Sequence, residues 1–126
     1  EHQPGHLVDI MATCVDVAGI QYPTEHKGKK IVPMQGKSLL PIFQGKKRKS
    51  NNTLFWEHQG NRAVRKGKWK IVADYGQPWE LYNMATDRTE MHNLASQHPG
   101  RVAALVAKWE KWAVRARVKP WPWKIK

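Results

Sequence analysis

The residues best suited to chemistry fall within six positions of one another: Glu57, His58, Asn61 and Arg62, in the run EHQGNR. They bring a carboxylate, an imidazole, an amide and a guanidinium to a single corner of the chain. A cation, an imidazole that changes charge near neutral pH and an amide donor together suit the binding of an oxyanion. The same groups are as well suited to an internal hydrogen-bond network that fixes the corner, and the residue types alone leave both readings open. Elsewhere the chemistry is sparse. The single Cys14 rules out an internal disulfide and a CxxC site. It stands in an apolar segment, where a thiol is usually inert. No G-x-S-x-G elbow occurs. None of the six histidines is paired at a zinc-binding spacing, and the carboxylates are too scattered for a calcium or magnesium cage. No catalytic or metal-ligating set is expected within these residues.

Several elements must hold that corner. From Thr53 to Ala73 the chain alternates, with Leu54, Trp56 and His58 on one face and Phe55 and Glu57 on the other. Ala63 and Val64 lead to Lys66-Gly67, where glycine suits a tight hairpin, and Trp69, Ile71 and Val72 follow. WELYN, residues 79–83, reads as one more short strand, with Leu81 facing one way and Glu80 and Tyr82 the other. In the polar connector 84–95, Asp87 and Asn93 are placed to accept backbone hydrogen bonds. Pro99 opens a helix running to about Arg117, with Val102, Leu105, Val106, Trp109, Trp112 and Ala116 as its apolar stripe. Core packing is favoured for the two tryptophans over a stacking platform for bases or sugars. The tail after Lys119 is too rich in proline to be helical.

Residues 6–18 form a helix by spacing, with Gly19 at its C-terminal cap. It is apolar over much of its girth and calls for cover on several sides. Asp9 reads as a buried or capping carboxylate paired within the fold. Residues 21–50 read as loop, with a short helix or turn burying Leu39, Leu40 and Phe43. Gly36-Lys37-Ser38 lacks the earlier glycine of a phosphate loop, so no nucleotide site is assigned. Lys46 to Lys49 reads as an exposed basic tip. The expected fold is α+β: a small antiparallel sheet of three to four strands packed on a long C-terminal helix, preceded by the helix 6–18.

A net charge of +12, from 22 basic and 10 acidic residues, favours polyanionic partners or a solvated basic surface. No run is long and apolar enough to span a membrane as a helix, and no signal peptide is visible. The abrupt start at Glu1 suggests a fragment of a longer chain.

The run FWEHQGNRAVRKGKWKIV resembles the F-W-E-H-x-G-N-R-A-x-R-x-G-x-W-K-L stretch of bacterial arylsulfatases of the type I, formylglycine-dependent sulfatase family, of the alkaline-phosphatase-like superfamily. HLVDIMATCVDVAG, GKSLLPIFQGK and WELYNMATDRTEMHNLASQHPGRV resemble three further segments of that family, in the same order. Ala12 and Arg88 depart from it where proline is usual. The C-x-P-S-R nucleophile motif is absent, and Cys14, followed by Val-Asp-Val, does not supply it. The resemblance implies that residues 1–50 are the tail of the large α/β sulfatase domain and residues 51–126 the C-terminal subdomain. It implies a parent enzyme that hydrolyses sulfate esters, with formylglycine and Ca²⁺ in an N-terminal domain of the same protein. This chain would then be inactive alone. By that analogy Glu57, His58, Asn61 and Arg62 lie at the rim of the substrate pocket. A periplasmic or secreted location follows from the resemblance only. The competing expectation is a basic binding module for sulfated polysaccharide or nucleic acid, the nucleic acid being the weaker choice.

Overall fold

The computed structural model describes residues 3–48 and 53–122. The chain divides into two compact units, Glu1–Asn51 and Asn52–Lys126.

In the first unit, α1 spans Asp9–Val17, a shorter helix than the 6–18 expected, because residues 7 and 8 form a turn that leads into it. Asp9 is 2% exposed and anchors the unit. Its carboxylate accepts the main-chain N–H of His6 and of Lys37, each at 2.9 Å. It also pairs with the Arg48 guanidinium at 3.1 Å. Thr13 Oγ1 accepts the Leu39 N–H at 2.9 Å, a second tie between α1 and the following loop. A Cβ at Gly36 would lie 2.0 Å from the Val8 carbonyl oxygen, so glycine is needed there for close backbone approach rather than for phosphate.

The loop expected over 21–50 contains a small hairpin, β1 (Glu25–His26) and β2 (Lys29–Lys30). α2 spans Leu40–Phe43. Phe43 is 70% exposed rather than buried, because this one-turn helix leaves its last residue beyond the packed side. Arg48 also departs from the expected exposed basic tip. Its side chain is 3% exposed, drawn in by Asp9 and by the carbonyls of Pro4 and Lys37. Lys49 of that basic run lies outside the described residues.

The second unit is a four-stranded antiparallel meander, β3 (Thr53–His58), β4 (Asn61–Lys66), β5 (Trp69–Ala73) and β6 (Glu80–Asn83). The pairings Phe55↔Val64, Val64↔Ile71 and Ile71↔Leu81 put one apolar row across all four strands. The helix α3 (Pro99–Ala116) covers this row with Leu105, and Val64, Ile71 and Leu81 lose all exposure beneath it. Val102, Val106 and Trp109 pack around that core as the helical spacing requires, while Ala116 is exposed near the helix end. The architecture is α+β, a four-stranded sheet with a C-terminal helix and an N-terminal helix.

The connector works as the residue types predict. Asp87 accepts the N–H groups of Met91 and His92, and Asn93 Oδ1 accepts those of Leu81 and Ala95. The Lys66-Gly67 turn has Gly67 at φ +58°. Residues 123–126 of the proline-rich tail lie outside the described residues.

Candidate functional site

The corner is the tip of the β3–β4 hairpin, closed by Gln59 and Gly60 at φ +52° and +84°. Two consecutive positive φ values give the turn a twist that matches the flanking strands. Glu57 Oε1 accepts the Gly60 N–H at 2.8 Å and fastens the turn from inside. A Cβ at Gly60 would fall 2.6 Å from Tyr75 Cδ2 and 3.1 Å from Trp121 Cβ, so two aromatic residues lie directly on this turn.

The register sets Glu57 opposite Arg62 and His58 opposite Asn61. A cross-strand carboxylate and guanidinium would ordinarily pair. No ion pair joins Glu57 to Arg62. The carboxylate serves the turn, and the guanidinium lies 4.6 Å over the Trp79 ring and 5.7 Å from that of Trp109. Arg62 has one long hydrogen bond, 3.5 Å to the Gln77 carbonyl, and its buried Nε has no hydrogen-bond partner. The guanidinium is therefore held by aromatic faces, with no carboxylate paired to it among the described residues. Asn61 Oδ1 accepts the Tyr75 N–H at 2.9 Å and ties the hairpin to the β5–β6 loop. His58 and Asn61 are exposed at the tip, whereas Glu57 and Arg62 are half-buried.

The four residues are thus brought together, in two roles. Glu57 and Arg62 point to the side covered by α3 and build the corner, while His58 and Asn61 face outward from it. Sequence reasoning missed Tyr75, Trp79 and Trp121 as members of this cluster. Nothing in local spacing links them to the hairpin, since their contact depends on how the later chain returns. Trp109 and Trp112 complete the aromatic layer. Phe55 stacks on Trp112 at 5.3 Å with planes 4° apart, and Trp79 meets Trp109 edge-on at 6.0 Å. The two α3 tryptophans pack against these rings in the sheet–helix layer, as expected.

Among the described residues no three His, Cys, Asp or Glu side chains converge to hold a metal. Asp9, the most buried carboxylate, is committed to Arg48 and two backbone donors. The described residues do not fit a calcium site. Cys14, placed within the apolar helix as read from the sequence, is exposed on α1. No described helix is long and apolar enough to cross a membrane.

The class is that of C-terminal sulfatase domains, and the family match shows it. Residues 5–114 match the family described as N-sulphoglucosamine sulphohydrolase, C-terminal, and the chain belongs to that family. It is 32% identical over 110 residues to an uncharacterized sulfatase of Schizosaccharomyces pombe, covering 82% of this chain and 20% of that protein. It is 30% identical over 105 residues to arylsulfatase K of Danio rerio, covering 76% of this chain and 19% of that protein. Its fold matches a solved Bacteroides thetaiotaomicron structure, described with the metabolism of multiple glycosaminoglycans, at a TM-score of 0.65 and 21% identity, over 84% of this chain and 24% of the other. The chain spans about a fifth of the length of the curated relatives it matches.

Proposed function

We propose that this chain serves a sulfate-ester hydrolase as its C-terminal domain, and that the β3–β4 tip forms part of the rim of the substrate pocket. Family membership over residues 5–114 supports the hydrolase class. The observation that carries the rim assignment is the division of labour at the tip. Glu57 and Arg62 are spent on the turn and the aromatic layer, and Asn61 Oδ1 on the Tyr75 N–H, which leaves the His58 imidazole and the Asn61 amide nitrogen exposed on a fastened hairpin. An imidazole and an amide so held are suited to hydrogen-bond the organic part of a sulfate ester or its charged oxygens. The nucleophile, a formylglycine, and the Ca²⁺ that neutralises sulfate charge would come from an N-terminal domain of the same protein, since the described residues offer no such set. On this reading the chain alone is inactive, and the whole protein is periplasmic or secreted, as the family resemblance suggests.

The substrate class follows from the relatives only by analogy. Arylsulfatase K bears an aryl sulfatase name, and the Bacteroides structure belongs to glycosaminoglycan metabolism, so sulfated sugars and aryl sulfates are the two classes to assay. The test is His58→Ala, alone and with Asn61→Ala, in the full-length protein. Loss of kcat/KM by about tenfold or more, equivalent to about 1.4 kcal/mol of transition-state binding, is expected on at least one class. Unchanged kinetics on several sulfate esters would remove the hairpin tip from the pocket.

A further inference from the structure

We propose that the outer face of α3 is an exosite that holds a sulfated polysaccharide chain, an inference that rests on the sulfatase reading above. Arg101, Lys108, Lys111 and Arg115 are all exposed on this helix. At roughly 100° per residue they fall within an arc of about 80°, beside the apolar stripe that packs on the sheet. At about 1.5 Å per residue the row is about 21 Å long, and the seven-residue steps from Arg101 to Lys108 and from Lys108 to Arg115 are even. An extended row of cations, three of them evenly stepped, matches an extended polymer with a repeating anionic group better than it matches a compact anion.

Three further observations favour a partner over a merely solvated face. First, no carboxylate pairs with any of the four among the described residues, and the one acidic residue of the helix, Glu110, lies well away from the row around the helix axis. Second, Lys111 and Arg115 are four residues apart, and Lys108 and Lys111 three apart. Like charges at these spacings repel on a helix surface, so the helix carries a cost that a bound polyanion would relieve. Third, the guanidinium of Arg101 is held 4.3 Å over the Trp69 ring, and Lys68 Nζ lies 5.6 Å from the same ring. That end of the row is thus partly pre-ordered, which lowers the cost of binding. Sulfated polysaccharide is favoured over nucleic acid because the family is a sulfatase family and because the aromatic residues of α3 are turned inward, away from any stacking base.

The experiment measures binding of heparin to the whole chain across a salt series. The variant Lys108→Glu/Lys111→Glu/Arg115→Glu is compared with Lys27→Glu/Lys29→Glu/Lys30→Glu, which makes the same change in net charge on the β1–β2 hairpin. Lys108→Gln/Lys111→Gln/Arg115→Gln is a milder set that keeps good helix formers, and circular dichroism confirms the fold of each. Weakening of about tenfold or more in both α3 sets, with little change for the hairpin set, is expected. Equal weakening in the α3 and hairpin sets would show that net charge alone is sensed and would overturn the exosite. Duplex DNA bound as tightly as heparin at the same salt would also overturn it in favour of a nucleic-acid face. Turnover of a small sulfate monoester by the full-length protein tests the sulfatase reading separately. Heparin binding that maps to α3 in a protein without such turnover would sink that reading and leave the α3 contact standing.

Discussion

The indole N–H of Trp109, on α3, donates to the main-chain carbonyl of Trp56, on β3, at 3.0 Å. β3 is an edge strand, and the register turns the Trp56 carbonyl toward Ala63 on β4, so the indole approaches it from the covered face of the sheet. The helix therefore covers the sheet and also holds its edge strand with one directed bond. The same indole lies near the Arg62 guanidinium and meets Trp79 edge-on, so Trp109 joins the edge, the helix and the hairpin corner.

Trp109→Phe keeps an aromatic ring but removes the donor together with the smaller ring of the indole. It should destabilise the fold by at least about 0.5–1.5 kcal/mol in denaturant unfolding, the usual net worth of one hydrogen bond. Trp109→Ala should cost about 3–5 kcal/mol, because the ring contacts go as well. Equal losses for the two variants would mean that the hydrogen bond, not the ring, carries the residue's contribution.

Much of the second unit was legible because alternation and helical spacing report which face is buried. Phe55, Val64, Ile71 and Leu81 fall on one face at strand spacing, and the α3 stripe has the matching helical period. The β1–β2 hairpin was not legible: each strand has two residues, all exposed, so no hydrophobic pattern marks it. Arg48 reads as surface in the sequence because its neighbours are lysines, and its partner Asp9 is distant in the chain. The four corner residues were found from their types. Their division into two roles was not, since it depends on Trp79, Trp109 and Tyr75 returning to the hairpin.

Asp9 gives a pH prediction. Burial would raise its pKa, but the N–H groups of Lys37 and His6 and the Arg48 guanidinium outweigh burial and hold the carboxyl below its ordinary 3.8. A depressed carboxylate stabilises the folded state above its unfolded pKa, and that contribution is lost as pH falls through the lower folded value. Hydrogen exchange at the Lys37 amide, which bonds Asp9 Oδ1, should therefore accelerate beyond its intrinsic pH trend only below about pH 3.8. Asp9→Asn should cost about 3–5 kcal/mol by leaving the Arg48 charge buried without its counter-ion. Protection at Lys37 that persists in Asp9→Asn would contradict this account.

Tyr82 gives the opposite sign. Its hydroxyl donates to Glu80 Oε2 at 2.7 Å, and the residue is buried. Burial, then the Glu80 hydrogen bond and charge, push its pKa from 10.0 up to about 12. The neutral phenol is the form the fold favours, so its contribution is complete below pH 10 and is lost as pH rises through about 12. Ultraviolet titration should show one tyrosine ionising at about pH 12. Glu80→Gln should move that step down, though burial keeps it above its ordinary value. A titration in which Glu80→Gln leaves the last step in place would assign the shift to burial alone.

Arg117 caps α3 in the left-handed conformation, at φ +56° and ψ +39°, and its N–H reaches back to the Val114 carbonyl. Side chains with a Cβ are strained there, and glycine is the usual occupant. Its positive charge at the helix C-terminus offsets part of that strain through the helix dipole. Arg117→Gly should therefore stabilise the fold, by about 0.5–1 kcal/mol at high salt and less at low salt, where the dipole interaction is unscreened. Arg117→Ala keeps the strain and loses the charge, so it should destabilise, most clearly at low salt. Thermal melts of both variants at two ionic strengths separate the contributions: a gain for glycine that does not grow with salt would mean that the charge at this cap contributes nothing.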